Sequence, residues 1–537
     1  MSARRLAVAL IMLGCQGGPG QGGSVTAGSG GATNGSAGSD AAGSGSGSAP
    51  SGTGSGSDVL TPGAPPAPPP TPNALPYTLE LVAPAWAGTS SLPALHAYSL
   101  GRTKDGKLLI VGGRITQGLH MFTSTDPNFP RKNTNSSLWV IDPKTGDKWS
   151  FDTAQLGDDL AGPLSATNAQ GYQDPATDQL LIAGGYGWSG DNMKTFNTIV
   201  SLPVSQVAAQ ITAAHPDPAR IKALIKRGTD PRFAVTGGAL RKLGSTYYLL
   251  FGQSFQGQYR AFGGSDFTQA YADKIAQFTL QPSSLKILSY GELTSSDPSH
   301  PYHRRDGNVI DNVDPATGAE RITAFGGVFM PGKIAAYTNP VFIDASGPTV
   351  DSTDQQRFSQ YQCPVIVAYD PVAKLEYHTF VGGISGTWFS QSPSQHQAYL
   401  QVTAQGRNDG LPFIADITSY VQKADGSFTE WILPSPIPGN QLLGASIDFV
   451  VANAAVASGL ASAKGVLHLD KWHAGDRKLV GYLFGGIAAT NPLPLQPNSG
   501  TVATNQLFEV YVTLSPSAAY PASAGHAAVQ SSHLQIR

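Results

Sequence analysis

One beat of apolar residues returns along most of the chain. A short apolar run ends in paired glycines at "KLLIVGG" (Gly112, Gly113), "QLLIAGG" (Gly184, Gly185), "RITAFGG" (Gly326, Gly327), "YHTFVGG" (Gly382, Gly383) and "GYLFGG" (Gly485, Gly486), with a degenerate copy, "YYLLFGQ", at Gly252-Gln253. Ahead of each stands another apolar or alternating run and a polar turn, as in "HAYSLGRTKDG" and "NVIDNVDPATG". Behind each comes a third run, as in "SLWVIDP", "KIAQFTL" and "NQLFEVYVTL". Short runs of this kind, bounded by Asp-Pro and Gly turns, are hairpin strands. The pattern predicts a four-stranded antiparallel unit repeated six times. The glycines allow close packing where the second strand leaves the sheet. One segment breaks the beat: "SQVAAQITAAHPDPARIKALIKRG", residues 205–228, reads as two short helices decorating the second unit. Ser205 is placed to cap the first, Asp217-Pro218 to open the second and Gly228 to close it. An orphan strand, "YTLELVAP", precedes the first unit, and Tyr77 to Ala83 is expected to complete the sixth, sealing the ring and removing an open edge.

Long self-similar β units predict a propeller. The expected fold is therefore all-β, a six-bladed β-propeller over residues 76–515 with a small helical insertion. Glycine pairs after strand two, with Trp149 ("DKWSF") and Trp431 ("FTEWIL") in strand four, resemble kelch repeats. The spacings of 72, 68, 74, 56 and 103 residues between successive pairs exceed the ~50 of a compact kelch repeat, so the excess belongs to loops. Over residues 77 to 514 the chain resembles a group of secreted bacterial kelch-type propellers. The motifs that carry the resemblance are "GGR" with "GLH" (Gly112 to Arg114, His120), "GGYG" (Gly184 to Gly187), "VTGGALRKLG", "HRRDGNVI", "FGGVF", "FVGGIS" and "GYLFGGI". More distantly it is similar to kelch mutarotases and copper-radical oxidases. The resemblance implies a fold and a location, and no activity.

The ends change the picture. Arg4 and Arg5 precede an apolar stretch from Leu6 to Leu13, too short to span a bilayer, so residues 1–14 read as a secretion signal. Gly14-Cys15 follows and resembles a lipoprotein site with Cys15 as the lipidated residue. Gln16 carries no acidic retention signal, which implies the outer membrane or surface of a Gram-negative cell, the membrane being met through the anchor alone. Residues 15–75 are almost entirely Gly, Ser, Ala, Thr and Pro with no aromatic residue, a disordered tether reaching roughly 40–45 Å root-mean-square. Residues 516–537 are expected to be a flexible tail. Cys15 and Cys363 are the only cysteines, so with Cys15 acylated the core alone must hold the fold. Only 13% of residues are charged, the net charge is −2 and no basic block follows Arg5, which excludes nucleic acid as a partner class. A monomer is expected.

Against that sparse charge, "HPYHRRDGNVI" places His303, Arg304, Arg305 and Asp306 together. In a propeller the segments leading into the first strands converge on the axis. Here they bring His96 and Tyr98, Asn168 and Gln170, Arg232 and Thr236, His303 to Asp306, Tyr361 and Gln362, and Ser446. The loops after the glycine pairs add Arg114, His120, Tyr186, Trp188 and Trp388, at the same mouth, the outer rim or the opposite side. Polar and aromatic groups on a concave axis are the default small-ligand site. Alternation sets His303 and Arg305 on one side of a strand, facing the funnel, and pairs Arg304 with Asp306 on the other. A guanidinium there clamps a carboxylate or sulfate, His303 is the acid–base candidate, and Trp188 or Trp388 offers a face to a sugar ring. The competing reading makes the whole cluster a structural corner.

The function expected is binding of a saccharide or other small polar ligand by His96, Asn168, Thr236, His303, Arg305, Tyr361, Ser446, Trp188 and Trp388. A carbohydrate enzyme of mutarotase-like or lyase-like type, with His303 and Arg305 as catalytic candidates, and a protein-interaction platform remain open. No cofactor is expected. Copper would need a Tyr–Cys crosslink, for which Tyr302-His303 and Tyr361 near Cys363 are the available residues, but no second histidine is placed by motif. No metal site follows from the histidine spacing, and Cys363 reads as a small buried residue.

Overall fold

The computed structural model describes residues 75–119, 128–260, 266–331, 336–356, 358–385, 387–389, 398–400, 412–492, 500–516 and 520–521. The signal, Cys15 and the tether as far as residue 74 lie outside these residues, and Leu75, its last residue, is buried in the core. Within them the chain is mostly β, built on small antiparallel sheets in chain order. The first comprises Ser99–Arg102, Leu108–Val111, Ser137–Ile141 and Lys148–Asp152. The second comprises Gln170–Asp174, Gln179–Ala183, Thr198–Pro203 and Lys226–Thr229. Ala239–Leu243, Thr246–Leu250, Ile275–Leu280 and Ile287–Leu293 form the third. Asn308–Val313, Glu320–Phe325, Val341–Asp344 and Gly347–Val350 form the fourth. The fifth is built on Val365–Asp370, Leu375–Val381, Ile417–Lys423 and Phe428–Ile432, with Leu467–His468 and Tyr520–Pro521 at its two edges. The sixth joins Phe449–Val451, Arg477–Phe484 and Leu507–Thr513 to the N-terminal strand Thr78–Val82. That last pairing runs antiparallel from Thr78 opposite Thr513 to Val82 opposite Glu509. This set of sheets fits a propeller.

Side-chain alternation explains why the second strand of the first sheet, Leu108–Val111, is wholly apolar. Leu109 and Val111 pack with Leu180, Ile182 and Val200 of the second sheet, while Leu108 and Ile110 pack with Leu79, Val480 and Val510 of the sixth. Leu181 and Ala183 point the other way, onto Leu240, Leu249 and Phe278 of the third. Both faces of each second strand are thus buried, as in a layered stack. Fourth strands alternate instead, as in Lys148–Asp152, where only Phe151 is buried.

The glycine pairs join neighbouring sheets. The second glycine donates its N–H to a carbonyl of the next sheet's lead-in segment: Gly113 to Ala166, Gly185 to Val235, Gly383 to Leu443 and Gly486 back to Leu95, at 2.7–2.9 Å. A side chain on the first glycine would overlap the same carbonyl. The degenerate copy is displaced by one residue. Phe251-Gly252, rather than Gly252-Gln253, holds the position, with Phe251 at φ 59° and Gly252 donating to Arg304 at 2.9 Å.

The insertion forms two helices, Val204–Ile211 and Pro218–Leu224, between strands three and four of the second sheet. Asp217 caps the second through the N–H groups of Ala219 and Arg220, as its sequence indicates. Ser205 does not cap the first; its hydroxyl accepts from the Lys104 N–H in the first sheet's hairpin turn. Gly228 closes no helix, because the chain has already re-entered the sheet as Lys226–Thr229, where Gly228 pairs with Ile199.

Candidate functional site

Each sheet is entered through one residue held at positive φ: Ala97 (55°), Asn168 (48°), Gly237 (66°), Asp306 (58°), Gln362 (51°) and Ser446 (58°). Their backbones are linked in succession. Asn168 N–H donates to Ala97 O, Gly237 to Asn168, Asp306 to Gly237, Gln362 to Asp306 and Ser446 to Gln362, at 2.6–3.1 Å. The left-handed turn aims five of these N–H groups at the previous carbonyl, which links the six residues in one hydrogen-bonded collar running from Ala97 to Ser446.

The residue before each collar position sits on one side of it. His96, Thr167, Thr236, Arg305 and Tyr361 are bridged to Arg114, Tyr186, Gln253, Val328 and Ile384, the residues that follow the glycine pairs or their equivalent. Beside the sixth sheet, in a separate three-stranded sheet of Leu442–Ala445, Ile487–Ala489 and Thr501–Ala503, Ala445 opposes Ile487 in the same way. The two tiers enclose a mouth of about 130 Å³. His96, Asn168, Thr236, Arg305, Tyr361 and Ser446, six of the sequence candidates, line it. So do Arg114 and Tyr186, which the sequence left between the mouth, the rim and the far side, together with Thr167, Gln253, Phe129, Phe255, Tyr259 and Phe329. Thr167 and Gln253 stand on the repeat's own positions but were not singled out, whereas Phe129, Phe255 and Tyr259 lie on segments outside its beat.

The mouth's charges are held rigidly. Arg114 is buried (4% exposed), its guanidinium 4.3 Å from the centre of the Phe129 ring and bonded to Gln117 Oε1 at 3.1 Å. Burial pulls it down to about 10, so it stays charged at neutral pH. Arg305 lies over the Phe329 ring at 5.0 Å and 3.6 Å from the Asp306 carboxylate. Burial pushes that carboxyl up, against the pull of Arg305 and Gln362. His96 donates from Nε2 to the Gln117 carbonyl at 2.8 Å, and its buried Nδ1 has no hydrogen-bond partner. Burial first, then Arg114, push His96 down to about 3, so the ring is neutral and Nδ1 carries a lone pair.

The remaining candidates lie elsewhere. His303 is stacked on Tyr271 (centroids 3.8 Å apart) with Nδ1 bonded to the Phe329 carbonyl, and it does not line the mouth. Alternation misplaced it because residues 303–304 are not in a strand and Asp306 turns through positive φ. Arg304 does not pair with Asp306. It is wholly buried, donates to the carbonyls of Pro301, Gly326 and Asn339, and lies over the Phe251 and Tyr337 rings. The His303–Asp306 cluster is thus divided: Arg304 is a structural corner and Arg305 faces the mouth. Arg232 pairs with Asp230 at an exposed turn. Trp188 donates to Phe129 O and sits under the Arg131 guanidinium, off the mouth. The Trp388 side chain and His120 lie outside the described residues. Cys363 is a free buried thiol, pushed up to about 12 by burial. Among the described residues no cluster of three or more His, Cys, Asp or Glu could hold a metal ion, and no helix is long and apolar enough to cross a membrane.

Fold and site together define a mostly-β protein of small antiparallel sheets arranged about a polar axial mouth. No family model matches the chain, and no curated protein matches it. Among solved structures, that of YjhT is similar at 12% identity and a TM-score of 0.40, covering 78% of this chain and 99% of that one. A likeness at that level carries no argument about chemistry.

Proposed function

We propose that the six sheets are the blades of one kelch-type propeller, lipid-anchored through Cys15 at an outer membrane, whose axial mouth binds a small anionic saccharide. Closure by Thr78–Val82, the Gly486-to-Leu95 bond and the shared core between first and sixth sheets support the six-bladed reading. The observation that carries the ligand class is the convergence of Arg114 and Arg305 on a mouth whose lining holds one acid, Asp306. A carboxylate or sulfate would meet two fixed guanidiniums, and the His96 lone pair would accept from a sugar hydroxyl. Phe129, Phe255 and Phe329 supply apolar surface for the ring. The volume suits one sugar unit.

Thermal shifts of the purified protein against neutral, uronic, sialylated and sulfated saccharides test this. Stabilisation by acidic sugars alone, lost in Arg305→Ala and kept in His303→Ala, is the expected result. Equal shifts with neutral sugars, or an undiminished shift in Arg305→Ala, would refute it.

A further inference from the structure

On the far side of the collar the axis widens into a chamber of about 680 Å³, lined by the first strands of all six sheets. A strap crosses its outer end. Residues 452–471 leave the sixth sheet after Val451, and Asn453 bonds the carbonyls of Thr103 and Lys104 in the first sheet's turn at 3.0 and 2.8 Å. Lys464 then reaches across the axis to Lys242 O in the third sheet and to Glu320 and Asp311 in the fourth, at 3.1, 3.1 and 3.5 Å. Leu467–His468 finally lies parallel to Ala368–Tyr369 at the inner edge of the fifth. One excursion is thus tied to four other sheets.

The chamber's charges are unevenly satisfied. Arg241 donates to the carbonyls of Leu240 and Val309 and lies 3.7 Å from Asp311; Arg102 donates to Val451 O; Lys464 holds the strap. Asp448 has no hydrogen bond and no salt bridge among the described residues, and its exposed side chain looks into the lumen. A second acceptor stands in the same wall. Gln170, 2% exposed, donates to Asn168 O while its buried Oε1 has no partner. Tyr98 and Tyr172 add aromatic surface.

We propose that this chamber is a second binding compartment, separate from the mouth, that takes a small ammonium-bearing polar molecule with Asp448 as counter-ion, and that the 452–471 strap gates it. An ammonium answers each feature: a carboxylate open to the lumen that makes no hydrogen bond or salt bridge among the described residues and feels only the more distant charge of Arg241, an amide oxygen in need of a donor, and tyrosine faces that favour a cation. Walls around Asp448 raise its carboxyl above the ordinary range, a cost that a bound cation removes. Both ends of the strap are anchored, through Ala455, Ala461, Leu467 and Leu469 in the core and the pairing of Leu467–His468 with the fifth sheet, so the part free to move is the polar crossing made by Lys464.

The test uses the full chain and calorimetric titration at pH 7 with glucosamine as probe, and with N-acetylglucosamine and glucose as uncharged controls. Glucosamine should bind at least tenfold more tightly than either control, and Asp448→Asn should weaken it at least tenfold. Arg114→Ala, whose side chain lines the mouth and not the chamber, should leave it unchanged, which separates this compartment from the mouth. Lys464→Ala, which frees the strap but keeps Asp448, should raise the association rate. No binding of glucosamine, equal affinity for the three sugars, or full affinity in Asp448→Asn overturns the proposal. If Asp448→Asn fails to fold, the comparison of sugars on the parent protein decides alone.

Discussion

Gly184 is where the closure of neighbouring sheets can be weighed. It stands at φ 63°, and an added Cβ would fall well inside contact distance of the Val235 carbonyl oxygen and 2.6 Å from that of Phe233. Both obstacles are backbone and cannot rotate away. Alanine therefore brings two costs. The left-handed dihedral contributes roughly 1–2 kcal/mol. Forcing the third sheet's lead-in segment outward also breaks the bond from Gly185 N–H to Val235 O, now 2.8 Å, which leaves buried backbone groups unpaired at roughly 1–3 kcal/mol. The total is about 2–5 kcal/mol. Gly190 supplies the control, with φ 58° and nothing within 4 Å of where a Cβ would stand, so alanine there meets the dihedral cost alone. Phe251 shows that the dihedral by itself is tolerable, since it holds φ 59° at the equivalent position of the third sheet. Equilibrium urea unfolding of parent, Gly184→Ala and Gly190→Ala, followed by tryptophan fluorescence, measures the difference as a change in midpoint at constant slope. Gly184→Ala should be the less stable by about 1–3 kcal/mol, the share that the broken bond adds. Equal midpoints for the two variants would refute the steric account of the glycine pair.

Two further outcomes follow from buried charge. Between the fourth and fifth sheets the Glu376 carboxylate accepts from Val313 N–H (2.8 Å) and Asn312 (2.9 Å) and meets Arg321 (3.1 Å) and His378 (2.9 Å), all without solvent. Glu376→Ala should cost about 3–5 kcal/mol by urea unfolding, because it leaves the buried Arg321 guanidinium without its closest carboxylate and Asn312 and Val313 N–H without an acceptor. Burial pushes this carboxyl up, but His378, Arg321 and Val313 more than reverse it. The depressed group stabilises the fold above the ordinary glutamate range and loses that contribution as pH falls through its folded value, so the variant's deficit should shrink in acid. Asp416 has the opposite sign: burial raises it from 3.8 to about 7, so it favours the fold below pH 4 and loses that advantage as pH rises to 7. Asp416→Asn should gain on the parent over that window and level off above it, by at most about 4 kcal/mol and by less given its partial exposure; melting curves across pH 4–8 that stay parallel would contradict this.

Much of this architecture was legible because the repeat imposes the same local demands six times. A second strand buried on both faces is apolar wherever its neighbours offer no polar partner, as Leu108–Val111 is, whereas Leu375–Val381 buries Glu376 and His378 against each other; its exit must be narrow, as Gly112-Gly113 is. The lead-in segments could be located for the same reason, which is why His96, Thr236, Arg305 and Tyr361 all reach the mouth. What the pattern could not carry is rotation about the strand. A single left-handed residue, such as Asp306, resets the facing of its neighbours, so alternation sent His303 to the mouth and joined Arg304 to the wrong partner. The strap was illegible for another reason. Its length appears as the 103-residue gap, but its ties are single side chains, Asn453 and Lys464, meeting carbonyls and acids far away in sequence.

The collar relates these parts. Its hydrogen bonds are backbone to backbone, so the ring's shape is set by six positive-φ residues and not by the identity of their side chains. Ala97, Asn168, Gly237, Asp306, Gln362 and Ser446 can therefore differ chemically while holding one geometry. Positions one residue before them are fixed just as firmly and are equally free to vary, which places His96, Arg305 and Tyr361 on rigid backbone without any side chain having to order its neighbours. A site of this kind is preorganised by the fold, and ligand choice reduces to which groups occupy the tiers. The mouth's lining holds Arg114 and Arg305 against one acid, Asp306, whereas the chamber's lining mixes acids and bases, most of them already partnered, so the two ends of the axis offer a ligand different charges.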